Sequence, residues 1–340
     1  MLPQAVLAQP FHLPRGGVVK NRVCKSAMSE ALGTRQGRAT PELARLYGAW
    51  ADGGVGLCIT GNVMIDRRAL GEPGNVVIED DSQMAELQAW AQAATRNGTH
   101  CWVQLNHPGK QAPKGLNKEN VAPSAVPFRK DMQAFFPTPR ELTDAEVREL
   151  IARYGRAAGI VKRAGFTGVQ IHGAHGYLVS QFLSPHHNQR SDEWGGSAEK
   201  RRRFVLGVLA AMRAEVGADF PIGIKLNSAD FQRGGFTEEE SLDTIRALAE
   251  AGIDLIEISG GTYEAPAMTG VKTAGAPVKD STRQREAYFL AFAEKARQAV
   301  SVPLVVTGGF RSLEGMATAL TSGAVDLVGL ARAVAIEPDV

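Results

Sequence analysis

Short apolar runs recur along the chain, and each is followed by a stretch in which apolar residues return every three or four positions. The runs are "VCKSAM", "LCITGN", "CWVQLN", "GVQIHG", "IGIKLN", "LIEISG", "PLVVTG" and "LVGLAR". Their length and enrichment in β-branched residues predict strands; the stretches between them predict helices with recognisable starts. Thr40 precedes Pro41 at a first helical position, and Thr143 with Glu146 and Thr237 with Glu240 each match a capping box. Strand followed by helix, eight times over, implies a parallel sheet with helices outside it. In a chain of 340 residues this predicts an α/β fold, a single-domain (β/α)8 TIM barrel over residues 1–340. An open doubly wound sheet is the alternative. No shift in composition and no linker divides the chain.

Two connections exceed the usual βα loop: residues 107–142 after the third strand, and residues 177–197 after the fourth. Both leave from the carboxyl ends of strands, where barrels build active sites. Loops this long in a compact domain are either insertions of no consequence or parts of a site, and the second reading is preferred.

Charge narrows the function. With 38 basic and 36 acidic residues the formal net charge is +2, and no basic tract extends beyond "KRRRF", so nucleic acid is not an expected partner. No apolar run approaches the roughly 20 residues that cross a bilayer, and the first residues do not read as a signal peptide. Cys24, Cys58 and Cys101 are dispersed in apolar runs, as buried thiols of a reducing compartment would be. A cytoplasmic protein is expected, with nothing to decide between a monomer and a homo-oligomer.

The strand ends carry mostly polar residues: Ser29, Asn62, Gln104, His172, Lys225, Ser259, and the "TGG" and "AR" that close the last two runs. Loops after the seventh and eighth strands of a barrel often hold a phosphate. Gly308 and Gly309 would let backbone N–H groups approach an anion, and Arg332 would neutralise it; plain turn glycines and a surface arginine are the competing reading. His172 and His175 have the spacing of a metal pair, but Gly173 and Gly176 argue against the helix that such a pair needs, and no metal is expected. Together with Tyr177 they can instead converge as donors on one substrate oxygen. Tyr177, protonated at neutral pH, could then supply a proton. His186 and His187, among Pro185, Asn188 and Arg190, read as a solvated loop. Phe128, Phe135, Phe136 and Tyr263 lie in loops that either shape the pocket or anchor packing.

The segment "IHGAHGYLVSQFLSPHHNQRSDEWGGSAEKRRRF" resembles the signature of the Old Yellow Enzyme family of FMN-dependent ene-reductases. So do "NRVCKSAMS", "VQLNHPGK", "APSAVPF", "ELTDAEV", "GIKLNSADFQRGGF" and "TGGF", in order from Asn21 to Pro338. The resemblance implies a (β/α)8 barrel carrying non-covalent FMN, with NAD(P)H as reductant and an α,β-unsaturated carbonyl compound, an enone, as acceptor. It places Ala27, Met28, Ser29 and Asn62 beside the flavin ring, Gln104 on its pyrimidine edge and Lys225 near its N1. A cation there would stabilise the charge of the reduced flavin. It gives Gly308, Gly309, Ala331 and Arg332 to the phosphate, His172 and His175 to the substrate carbonyl, and Tyr177 to protonation of the α-carbon.

The match is not uniform. Ser29 stands where many members carry Thr or Cys, and Ala331 where Gly commonly precedes the arginine. The resemblance also implies a closing segment after "IEPDV". Members that hold an iron–sulfur centre carry a further cysteine cluster that three scattered cysteines cannot supply. Electrons would therefore enter and leave through one flavin face. Three rival functions remain open at this point: an FMN protein acting mainly as an NAD(P)H oxidase or quinone reductase, a binding or sensing protein that keeps FMN without turnover, and a barrel lyase using Lys225 as a Schiff-base amine.

Overall fold

The computed structural model describes residues 2–265 and 289–339. Eight strands close into a barrel: β1 (Val23–Lys25), β2 (Leu57–Met64), β3 (His100–Asn106), β4 (Gly168–Gly173), β5 (Ile222–Asn227), β6 (Leu255–Ser259), β7 (Leu304–Thr307) and β8 (Leu327–Leu330). Neighbours are parallel all the way round, and β8 pairs with β1 through Val328 and Val23 to close the ring. Each strand coincides with one of the eight apolar runs. Parallel strands are covered on both faces, so they read as continuous apolar runs without alternation.

The helices follow in turn: α1 (Pro41–Asp52), α2 (Met84–Ala94), α3 (Asp144–Ala164), α4 (Ala198–Val216), α5 (Glu238–Glu250), α6 (Leu290–Ala299) and α7 (Leu313–Thr321). Thr143 and Thr237 accept from the backbone N–H of Glu146 and Glu240, whose carboxylates return the bond, so both capping boxes form. The Thr40 hydroxyl caps α1, ahead of Pro41. Each helix buries one apolar stripe against the strands; α1, for example, buries Leu43, Tyr47 and Trp50. No helix among the described residues is long and apolar enough to cross a membrane.

Two interior features shape the barrel. Trp102 on β3 is fully buried beside Leu57, Ile59, Leu255, Val305 and Leu327. A Cβ at Gly168 or Gly223 would lie within 2.5 or 2.8 Å of its indole, so both glycines are room for that ring. The register of β2 against β3 shifts between Ile59 and Asn62, a bulge at which Glu30 accepts the Gly61 N–H at 2.8 Å. A bulge re-aims the side chains beyond it, and here it turns Asn62 to the mouth of the barrel beside Gln104.

Candidate active site

Two adjoining cavities open at the carboxyl ends of the strands. One, of about 220 Å³, is lined by Ala27, Met28, Ser29, Asn62, Gln104, His172, His175, Tyr177, Lys225 and Tyr263. The other, of about 360 Å³, shares Ala27, His175 and Lys225 with the first and continues to Gly308, Gly309, Ala331 and Arg332. Every cofactor and catalytic candidate drawn from the sequence therefore borders one or both of these adjoining cavities.

His172 lies one residue before the end of β4, paired in register with Lys225 on β5. Its Nδ1 accepts the Ala174 N–H at 3.4 Å, which leaves Nε2 as the protonated, donating nitrogen. His175 sits in a left-handed turn with φ 61°, held by Asn227, whose Oδ1 accepts its backbone N–H at 3.1 Å. Its Nε2 lies 2.7 Å from Ser259 Oγ, so a serine hydroxyl that donates there leaves Nδ1–H free to point elsewhere. The two rings stand edge to face with centroids 5.4 Å apart. Burial, with Lys225 nearby, pushes the His175 imidazole down to about 3, and burial likewise holds His172 well below its ordinary value. At neutral pH both are uncharged donors.

Tyr177 stacks at a tilt on His172, with centroids 4.6 Å apart, and its hydroxyl lies 3.2 Å from that of Tyr263. Burial and Tyr263 push the phenol well above 10, so it keeps its proton. The long connection after β3 joins this wall: Phe128 packs on Phe136, and Phe136 meets Tyr263 edge-on. Phe135 points away, 69% exposed. Both long connections thus reach the site.

Beneath the histidines runs a set of polar residues, two of which, Gln170 and Glu257, sequence reasoning passed over. Lys225 Nζ lies 3.0 Å from Glu257 Oε1. Thr307 donates to the same oxygen at 2.6 Å, Gln170 donates to Glu257 Oε2 at 2.8 Å, and Gln104 donates to Gln170 Oε1 at 2.8 Å. Burial pushes the Glu257 carboxyl up, but Lys225, Thr307 and Gln170 outweigh it and leave the group below its ordinary value. Gln170 and Glu257 are single polar letters inside "GVQIHG" and "LIEISG", and only the inward-facing period of two could have singled them out.

The other end suits an anion. Gly308 and Gly309 have φ of 108° and 89°, a backbone that only glycine adopts readily, and Arg332 and Arg311 border the same cavity. Ala331, just before Arg332, has φ −128°, outside the left-handed region that favours glycine. Ser29 donates to Asn62 Oδ1 at 3.3 Å. A space that is cationic and glycine-lined at one end and offers amide and ammonium groups at the other fits a phosphorylated flavin.

One expectation needs correction. His187 is buried, 3% exposed, because the loop folds over Lys110 and Glu264; its Nε2 lies 3.8 Å from Glu264 Oε2. His186, His187 and Glu264 bring three ligand atoms within 4.8 Å of one another. The carboxylate is already engaged by Lys110 Nζ at 3.5 Å and by the Arg129 N–H at 2.8 Å, so this group reads as a buried ion pair. Cys24, Cys58 and Cys101 are buried and free, as expected.

The sequence profile of the NADH:flavin oxidoreductase / NADH oxidase family matches residues 7–340. The chain belongs to this family, that of Old Yellow Enzyme. It is 39% identical to the NADH-dependent flavin oxidoreductase iliE of Hypocrea jecorina, over 97% of this chain and 86% of that one. The old yellow enzyme homologue of Zymomonas mobilis superposes with a TM-score of 0.83 at 27% identity, covering 98% of this chain and 90% of that one. A 2-naphthoyl-CoA reductase superposes with a TM-score of 0.88 at 27% identity, over 98% of this chain and 51% of that one, so the present chain spans about half of its length. The protein is accordingly an FMN-dependent flavin oxidoreductase that uses a nicotinamide nucleotide as reductant. A Schiff-base lyase is set aside.

Proposed function

We propose that this Old Yellow Enzyme family member is an ene-reductase, acting as one FMN-binding barrel unit on activated C=C bonds of enone-type compounds. The observation that carries the reading is the trio His172, His175 and Tyr177: two neutral N–H donors and a protonated phenol lining one cavity. Bound FMN would supply the hydride chemistry that links NAD(P)H to the acceptor. His172 Nε2–H and His175 Nδ1–H hold the substrate carbonyl oxygen and stabilise the negative charge that builds there. Tyr177 delivers the proton to the α-carbon, and Tyr263, 3.2 Å away, is placed to bond the phenolate left behind. Ala27, Met28, Ser29 and Asn62 would border the flavin ring, Gln104 would take its pyrimidine edge, and Lys225 would hold the N1 side. Gly308, Gly309, Ala331 and Arg332 hold the phosphate.

Reductant and acceptor share one space in this reading, so the cycle is ping-pong. The buried free thiols favour a reducing, cytoplasmic location. The test is anaerobic: protein reduced by NADH or NADPH is mixed with 2-cyclohexenone, and the saturated ketone is sought as product. An enzyme re-oxidised by oxygen or quinones but never by enones is an oxidase or quinone reductase instead.

A further inference from the structure

The chain of bonds from Gln104 through Gln170 to Glu257 has a direction. A carboxylate can only accept hydrogen bonds, whereas a carboxamide has one accepting and one donating end. Glu257 therefore requires Gln170 to approach with its NH₂, at 2.8 Å. That turns Gln170 Oε1 toward Gln104, which must in turn approach with its own NH₂, again at 2.8 Å. Gln104 is left with its Oε1 uncommitted: no described residue donates to it, and the residue borders the cavity. All three side chains are at most 1% exposed, so water does not offer an alternative partner that would let either amide turn over. The far oxygen of Glu257 is held by Thr307 and Lys225, both donors, which keeps the origin of the chain an acceptor.

We propose that Glu257 is a positioning residue for the flavin: through Gln170 it fixes the polarity of Gln104, so that an acceptor faces the imide N3–H of the pyrimidine ring. The inference rests on the placement of that ring edge at Gln104 in the reading above. Glu257 itself borders neither cavity; it acts through the two amides. Without a pure acceptor at the origin the relay is free to reverse. Gln104 would then turn an N–H toward the imide N–H, and the bond would be lost.

The test uses isosteric exchanges and the purified protein freed of FMN and reconstituted. Glu257→Gln should weaken FMN binding by about tenfold or more, the worth of one buried hydrogen bond lost against a facing donor. In ¹⁵N-labelled FMN the N3 resonance should move toward its non-hydrogen-bonded position. Gln170→Glu combined with Glu257→Gln moves the carboxylate one step along the relay at unchanged net charge. It restores an acceptor for Gln104 and should recover most of the affinity and the N3 signal. A buried charge that served only stability would give no such recovery. Wild-type affinity and an unshifted N3 resonance in Glu257→Gln would overturn the proposal, and so would a folded double variant that recovers neither. Gln104→Ala separates the two levels. If it leaves FMN affinity unchanged, the ring-edge placement is wrong and the relay falls with it. If Gln104→Ala weakens binding while Glu257→Gln does not, only the relay fails.

Discussion

Lys225 Nζ and Glu257 Oε1 lie 3.0 Å apart on strands paired in register, with both side chains at most 5% exposed. Removing one partner of such a pair strands a charge in a low-dielectric interior. Lys225→Met should therefore destabilise the flavin-free protein by about 3 to 5 kcal/mol, read from urea unfolding, and Lys225→Met/Glu257→Gln should recover much of that loss. A single variant as stable as the parent would mean that water or a shifted residue already neutralises Glu257.

Tyr177→Phe should divide the catalytic cycle. Reduction of bound FMN by NAD(P)H requires no proton from Tyr177 and should persist. Re-oxidation by 2-cyclohexenone should slow roughly 10²- to 10⁴-fold, the worth of a placed general acid, while a quinone still re-oxidises the enzyme quickly. Stopped-flow traces in which enone and quinone slow equally would assign Tyr177 to shaping the pocket.

Phenols that bind as phenolates should occupy the His172–His175 pair and produce a long-wavelength charge-transfer band. Either histidine replaced by Ala should weaken that band and slow enone reduction roughly 10²-fold. Ser259→Ala should have a smaller effect in the same direction, because the Ser259 hydroxyl lies 2.7 Å from His175 Nε2 and orients that ring. Full turnover in the double histidine variant would remove both from the mechanism.

These expectations draw unequally on the sequence. The eight strands were legible because a parallel barrel buries both faces of each strand, leaving uninterrupted apolar runs such as "PLVVTG". The two capping boxes were legible because their geometry is local. Glu257 and Gln170 were not, since each is one polar letter whose partners lie 87 residues apart in the chain. The burial of His187 was hidden for the same reason: it depends on Glu264 and Lys110, distant in sequence and brought over it by two loops.

Acid should weaken the fold before it protonates the carboxylates. Burial pushes His107 down to about 4 and His175 down to about 3, whereas an unfolded imidazole titrates near ~6.5. Below that value the unfolded chain takes up protons that the folded chain refuses, so stability falls as pH drops from about 6.5 toward 4. Each such histidine contributes up to about 1.4 kcal/mol per pH unit. Urea unfolding of the flavin-free protein at pH 7.5 and pH 5 checks the sign; equal midpoints and slopes at the two pH values would contradict it.

Arg332→Ala should weaken FMN binding by about 2 kcal/mol, since charge-assisted bonds to phosphate are among the stronger ones. Equilibrium dialysis reads the change directly. An unaltered dissociation constant would shift the phosphate toward Arg311, which borders the same cavity.

Trp102, seated against the bare backbones of Gly168 and Gly223, stoppers the barrel from below. Both described cavities lie at its other end, at the carboxyl ends of the strands. Whatever enters the described cavities, nucleotide, flavin or acceptor, arrives and departs past the same rim of loops. The order in which they load is therefore a matter of stacking, the deepest guest first in and last out.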